Sequence, residues 1–499
     1  MATEIELKYL VLDQNVEEIV SQLLTEQGFS YSQQTAELSN CYFDTEQQHL
    51  RALDFGLRVR STNQHIEQTI KTAGIVVGGM HQRPEYNIDI DQTFPELTLF
   101  PAEIWPEHTN VDKLQDQLIS LFNTDFVRKT WSVQLGDSSI ELAFDEGKVS
   151  AHRGSEDIRE IEIELLKGHK KDIFFLANLL FSKLQLRPGL KSKAARGYAL
   201  WQGKQSGQTE LPELQVKKYS EKFEHNLQLG LSSCLQQLQL CVEVYIKTPQ
   251  LIVLKKVLEA LQMTRHGFVL YQDFSKSYVD EVCNEIDYFI TLMSWLENAV
   301  HLQELMNKTG NYRKKINYSE QLVEQLKLEK RRLPDAEQVI AFLHGERFNK
   351  LQLQLLQIAI GDKKVINKEK EVPALHDFAR QRLNSDLHAL IDAMSFSNTE
   401  DVDAFLATRN LLAQCLCSGS WLGQLFDSEL REQFRAPWLD IQQGLSELQS
   451  LWIIQQQLET LEDKPVKIVN WQQCKVENLL VALNHSLEQA KRMPAYWLN

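Results

Sequence analysis

Charged and apolar side chains alternate one for one along several stretches of the first two hundred residues. That alternation restricts the chain more than any other feature in it. In Thr3-Glu4-Ile5-Glu6-Leu7-Lys8 an extended backbone puts Glu4, Glu6 and Lys8 on one face and Ile5, Leu7 and Tyr9 on the other, because successive strand residues point to opposite sides. Arg58 and Arg60 flank Val59, and Thr69 and Lys71 flank Ile70. Glu85, Asn87, Asp89 and Asp91 alternate with Tyr86, Ile88 and Ile90. Arg128 precedes Trp131 and Val133, Glu141 and Asp145 bracket Ala143, and Glu160, Glu162 and Glu164 alternate with Ile161, Ile163 and Leu165. An open antiparallel sheet with one wet face would also alternate, its charges forming ordinary cross-strand ladders. Here, however, the charges are dense and sorted by strand. Residues 1–8, 85–91, 141–145 and 160–164 are acidic, whereas 58–60, 69–71 and 128 are basic. If such strands close into a barrel, the charged faces line the lumen and the apolar faces take helices as cover. Acidic and basic walls facing one lumen can hold a polyanion together with a hard divalent cation. Carboxylates bind the metal, while lysines and forked arginines bind phosphate oxygens.

Strand patterns cover Cys41–Phe43, Gly56–Arg60, Glu67–Thr72, Glu85–Asp91, Arg128–Leu135, Ser139–Phe144 and Glu160–Leu166. Helical patterns cover Val16–Gln27 and Lys171–Leu184, and Gly78-Gly79 marks a turn. A polar run, Gln202–Glu210, reads as a linker. From Lys217 onward, Leu, Gln, Glu and Lys dominate with helical periodicity, as in the stripe Leu375, Ala379, Leu383, Leu387 and Leu390. The expectation is an α+β domain over 1–203, a linker over 204–216 and an all-α, bundle-like domain over 217–499. A chain of 499 residues is long enough for two or three domains. Its net charge of −15 argues against nonspecific nucleic-acid binding. No run approaches the roughly 20 apolar residues of a membrane span, and no secretory leader is visible. Seven scattered cysteines, with Cys415-x-Cys417 lacking a second pair, read as reduced thiols of a cytoplasmic protein.

The order of the motifs resembles the CYTH superfamily, the triphosphate tunnel metalloenzymes, and within it the bacterial inorganic triphosphatases. The residues concerned are Glu4-x-Glu6-x-Lys8, Leu57-Arg58-Val59-Arg60, Lys71, the run from Gly78 to Asn87, Thr124-Asp125-Phe126-Val127-Arg128, Glu160-Ile161-Glu162-Ile163-Glu164 and Ser192-Lys193-Ala194-Ala195-Arg196-Gly197. The resemblance implies an eight-stranded antiparallel tunnel that binds a triphosphate with Mg²⁺ or Mn²⁺. It implies a catalytic set of Glu4, Glu6 and Lys8, with Glu4 and Glu6 at the metal. Lys8, Arg58, Arg60, Lys71, Arg128 and Lys193 would be phosphate contacts. Glu85, Asp145, Glu162 and Glu164 would complete the acidic wall and the metal-ligand set, with Glu160 the alternative in register. Arg196 is either a further phosphate ligand or a brace for the C-terminal segment. Because no Ser, Cys or His stands out in these motifs, water is the expected nucleophile.

In the helical half, His376, Arg380, Asn384 and His388 fall on one helical stripe, which an ordinary solvated face also explains. This segment, with Gly419-Ser420-Trp421 and Phe434-Arg435-Ala436-Pro437-Trp438, resembles a CHAD domain, a helical module associated with polyphosphate. The chain departs from that family in Leu251–Leu258, where only Lys255 and Lys256 are basic, and Thr248 and Leu251 stand near the expected histidine and first arginine. Weak polyphosphate binding, or none, is expected there. The leading function is metal-dependent hydrolysis of inorganic tripolyphosphate to diphosphate and phosphate. Alternatives are a nucleotide or thiamine triphosphatase, a class IV-type adenylyl cyclase, and a non-catalytic polyphosphate-binding or scaffold protein. The E-x-E-x-K strand and the acidic wall favour catalysis, and the lack of a base-recognition motif favours an inorganic substrate.

Overall fold

The computed structural model describes residues 2–62, 65–203, 211, 214, 216, 219–307, 309–310, 312–367, 369–395 and 401–498. The chain divides into two compact units, Met1–Glu210 with Ile340–Gln354, and Leu211–Val339 with Leu355–Asn499. Most of the expected linker over 204–216 lies outside the described residues.

Among its described residues the first unit contains ten strands: β1 (Ala2–Val11), β2 (Ser30–Thr45), β3 (Gly56–Thr62), β4 (His65–Lys71), β5 (Ile75–Val77), β6 (Met80–Asp89), β7 (Leu118–Leu135), β8 (Ser138–Ala151), β9 (Gly154–Lys167) and β10 (Leu186–Pro188). Eight of them pair antiparallel in the order β1-β9-β8-β7-β2-β3-β4-β6, and β6 returns to β1, closing a barrel. Strand β10 adds to β1, and β5 forms a hairpin with β6. Gly78 and Gly79 make that hairpin's two-residue turn at φ +61° and +85°, backbone angles that favour glycine.

Among the described residues up to 203, the α-helices beside the barrel are α1 (Val16–Glu26), α2 (His49–Ala52), α3 (Val111–Asp116), α4 (Lys170–Phe181) and α5 (Lys193–Gln202). The alternation in sequence becomes two surfaces. Leu7, Tyr9, Trp131, Val133, Ile140, Leu142, Ile161 and Ile163 are all buried. On that side α4 buries Ile173, Phe174, Leu176, Ala177, Leu180 and Phe181, and α1 buries Val16, Val20, Leu23 and Leu24. The Tyr9 and Phe181 rings meet edge to face at 5.2 Å, and the Trp131 indole donates to Ser21 Oγ at 3.0 Å. A second cluster joins Phe43, Leu57, Val59 and Ile70 to Leu50, Leu97, Phe100 and Leu114 from the connections around α2 and α3. Burying an aliphatic or aromatic side chain contributes roughly 1.5–3 kcal/mol, so this outer layer holds the barrel closed around a charged interior. One segment from late in the chain belongs to this unit: buried Asn349 donates to Leu186 O of β10 at 2.8 Å.

The second unit is helical among its described residues, apart from an isolated bridge between Ser275 and Ile366. Its helices include Phe223–Lys247, Leu251–Tyr271, Leu375–Ala393, Arg409–Leu422 and Ser428–Glu459. Leu375, Ala379, Leu383 and Leu390 are buried as their spacing predicts. On the opposite stripe Arg380 Nε donates to Trp497 O at 3.0 Å, so that arginine ties down the C-terminal segment. Trp421 sits in a slot made by two glycines. A Cβ on Gly230 would lie 1.9 Å from its ring, and one on Gly267 2.1 Å. No helix among the described residues is long and apolar enough to cross a membrane.

Candidate active site in the barrel lumen

Strand pairing sets which lumen charges are neighbours. Glu6 on β1 lies opposite Glu164 on β9, and Glu164 lies opposite Glu141 on β8, so three carboxyls stand side by side. One pair further along, Lys8 lies opposite Glu162, and beyond it Asp145 lies between Arg128 and Glu160. On the other wall Arg58 lies opposite Tyr42 and Thr69, Arg60 opposite Asn40, and Lys71 opposite Glu85. Together these strands enclose a cavity of about 290 Å³, lined by Glu4, Glu6, Lys8, Arg58, Arg60, Lys71, Glu85, Arg128, Glu162, Glu164 and Lys193.

At one end the charges are fully matched. Lys193 Nζ lies 2.5 Å from Glu160, 2.6 Å from Asp145 and 2.9 Å from Glu162. Lys8 Nζ lies 2.6 Å from Glu162 and 3.3 Å from Glu160. Arg128 forks onto Asp145, with both bonds at 2.7 Å, and reaches Glu162 at 2.5 Å. Burial opposes ionisation of Glu162, but Lys193, Lys8 and Arg128 outweigh it and hold the carboxyl well below its usual range. Asp145, Glu160 and Arg196 stand behind the cavity wall. Arg196 donates to Glu160 at 3.0 Å and to Asp157 O at 3.1 Å, which makes it a brace in this structure.

Elsewhere in the lumen like charges crowd together. Glu164 is pushed up to about 8 by burial and by Glu4, Glu6 and Glu141, against the pull of Lys71. Glu6 is raised by burial, which with Glu162 and Glu4 outweighs Lys8 and Lys71. Lys71 partly offsets this acidic group, lying 2.5 Å from Glu4 and 3.6 Å from Glu85. On the basic wall Arg60 is pushed down to about 9 by Arg58, burial and Arg128; its Nε donates to Asn40 at 2.8 Å. Arg58 reaches Glu85 only at 3.5 Å, and its buried Nε has no partner among the described residues. A cation would relieve the first crowd and an anion the second.

The fit to a metal follows from the same comparison. Asp145, Glu160 and Glu162 bring carboxylate oxygens within 4.8 Å of one another, but four cationic side chains already neutralise them. Glu4, Glu6 and Glu164, with Glu141 beside them, are hard oxygen donors in excess of their cations. They suit a hard divalent cation better.

Helix α5 delivers Lys193. Ser192 caps it by accepting from Ala195 N at 3.1 Å, which fixes the first turn over the lumen. Gly197 lets the helix seat, since a Cβ there would lie 2.1 Å from the Phe122 ring. Next to it, the Tyr198 hydroxyl donates to buried Asp44 at 2.8 Å, and Asp44 also accepts from Leu50 N and Arg51 N of α2.

The lumen thus gathers most of the residues marked out by sequence, and adds some that were not. Arg51 and Tyr42 line it unannounced, while Glu141 and Asn87 come from the alternating strands and His81 and Arg83 from the run between Gly78 and Asn87. His81 is buried, and desolvation holds it below its ordinary value; its ring contacts Gly189 O at 3.2 Å. Glu141 shared the alternation with Asp145, so its inward direction was readable. Arg51 lies on the short helix α2, where no period announces it.

Residues 2–198 match the family model of the CYTH domain. An inorganic triphosphatase from Haemophilus influenzae is 38% identical over 168 residues, a stretch covering 33% of this chain and 46% of that protein. The chain therefore matches about half the length of that relative. Among solved structures, a CHAD domain from Ricinus communis aligns with 57% of this chain and 97% of its own, at 16% identity and a TM-score of 0.41. A Hippeastrum protein, described as a putative adenylyl cyclase with a dominant triphosphatase activity, aligns with 40% of this chain and 95% of its own, at 18% identity and a TM-score of 0.30.

Proposed function

We propose that the barrel hydrolyses inorganic tripolyphosphate to diphosphate and phosphate with the aid of a divalent cation, Mg²⁺ or Mn²⁺. The observation that carries this reading is the pair of only partly compensated crowds facing one cavity, Glu4, Glu6, Glu141 and Glu164 on one side and Arg58 and Arg60 on the other. A single ligand that is a polyanion bearing a cation satisfies both. Similarity to the Haemophilus influenzae inorganic triphosphatase supports the same substrate.

Glu4, Glu6 and Glu164 would hold the ion, which would supply positive charge to offset that of the phosphates. Arg58, Arg60, Lys71 and Arg128 bind the non-bridging oxygens and align the chain for in-line attack. Lys8 and Lys193, fixed by the matched cluster, present ammonium groups to the same phosphates. A water attacks a terminal phosphorus, the bond to the bridging oxygen breaks, and diphosphate leaves with the electron pair. A carboxylate of the acidic wall accepts the water's proton. In this reading residues 1–203 form the catalytic domain and 217–499 a CHAD-like domain that binds polyphosphate weakly or not at all. Seven unpaired cysteines support a reducing, cytoplasmic setting.

The test is phosphate release from tripolyphosphate, ATP and thiamine triphosphate with Mg²⁺, Mn²⁺ or EDTA. Tripolyphosphate turnover that is abolished by EDTA and exceeds ATP turnover is expected. Equal turnover of ATP, or turnover that survives EDTA, rejects the proposal.

A further inference from the structure

Two arginines that line the lumen take no part in the reading above. Arg83 is on β6, and Arg51 is at the end of α2. They share one carboxylate, for Arg83 Nη1 lies 3.4 Å and Arg51 Nη1 3.6 Å from the same Asp54 oxygen. Two guanidiniums against one carboxylate leave one positive charge in excess. Arg83 Nε is buried and has no partner among the described residues, so a donor stays unused on a side chain that faces the cavity. The Arg83 stem is held in place, since a Cβ on Gly74 would come within 2.4 Å of its Cγ. Arg51 stacks over the Tyr198 ring at 5.4 Å. Asp54 is itself held at φ +58° and is half exposed, so this group stands at a mouth of the cavity and not in its depth.

We propose that Arg51 and Arg83 form a mouth subsite for a further phosphate, so that the barrel engages linear polyphosphates longer than three units more tightly than tripolyphosphate. The inference rests on the tripolyphosphate reading for what fills the lumen. The mouth itself is argued only from the shared carboxylate, the unused donor and the excess charge. An incoming phosphate brings more than one negative charge and several acceptors. It can displace Asp54 from one arginine and take up the free Arg83 Nε–H.

Calorimetric binding of tripolyphosphate and tetrapolyphosphate to the full chain, alongside turnover of each, tests this. The wild type should bind tetrapolyphosphate more tightly. R83Q and R51Q should each lose about tenfold or more on tetrapolyphosphate, as expected for a charged hydrogen bond, with tripolyphosphate changed less than about twofold. D54N removes the competing charge and keeps a residue that tolerates a left-handed backbone, so it should tighten tetrapolyphosphate binding. A wild type that cleaves neither substrate, yet shows the chain-length difference and its loss in R83Q, defeats the hydrolase reading and leaves the mouth subsite standing. Tripolyphosphate turnover with both affinities falling together in R83Q, or with no change in either, overturns the subsite.

Discussion

Glu164 has a carboxyl on either side, Glu6 on β1 and Glu141 on β8, and its proton is held up to about 8 against roughly 4.3 for a free glutamate. The folded chain therefore binds that proton more tightly than the unfolded chain does. The stability it brings is complete below the unfolded value and is lost as pH rises through about 8. In chelator, the melting temperature of the wild type should fall between about pH 6 and pH 9 more steeply than that of Glu164→Gln, and Mg²⁺ should restore the wild type at the upper end. Parallel curves for the two proteins would show that the carboxyl is not crowded. Glu4→Gln and Glu6→Gln should remove most activity while leaving circular dichroism and melting near wild type, because both side chains line the cavity and not the apolar outer layer. Arg58→Ala should weaken tripolyphosphate binding by about 1.5–3 kcal/mol, the range for a charged hydrogen bond. Unchanged affinity would make Arg58 a structural ion pair with Glu85.

Among the elements of the barrel unit, α5 seats through a missing methyl at Gly197. Helix propensity favours Gly197→Ala by about 1 kcal/mol. The added Cβ, however, lies 2.1 Å from the Phe122 ring, and overpacking of that kind typically costs about 1–3 kcal/mol. The variant should melt lower and lose turnover together, since Lys193 rides on the same helix. A higher melting temperature would show that Phe122 gives way freely. The strands were more legible than this helix contact. Period-two alternation fixed which face of β1, β3, β6 and β9 carries charge, and the repeated Glu160, Glu162 and Glu164 all proved to be on that face. Alternation says nothing about depth along the barrel, however. Depth separates Glu164, crowded at the cavity wall, from Glu160, fully buried behind it with Lys193 and Arg196. Arg51 carried no readable signal, and Arg83, though within the run from Gly78 to Asn87, carried none for its meeting with Arg51 at Asp54, which depends on where a short connection lands.

For the molecule as a whole, a fragment ending at 203 contains every lumen residue and should retain tripolyphosphate turnover. It should also melt below the full chain, because it lacks residues 340–354 and with them the Asn349 bond to β10. A folded but inactive fragment would show that chemistry depends on later residues. That excursion was not legible in sequence, since helical periodicity over 336–359 reveals a buried face but not what covers it. Within the helical unit, Trp421 fills the slot left by Gly230 and Gly267, and its indole donates to Met263 O at 2.9 Å. Gly230→Ala and Trp421→Leu should each lower stability, while the double variant should recover part of the loss, with a coupling of about 0.5–3 kcal/mol. Additive losses would mean that the ring can move aside. If the slot is as tight as its geometry, these three sites are a lock in heredity as well as in packing. Once the ring had been admitted, neither glycine could drift alone, and positions almost two hundred residues apart are bound to change in company or not at all.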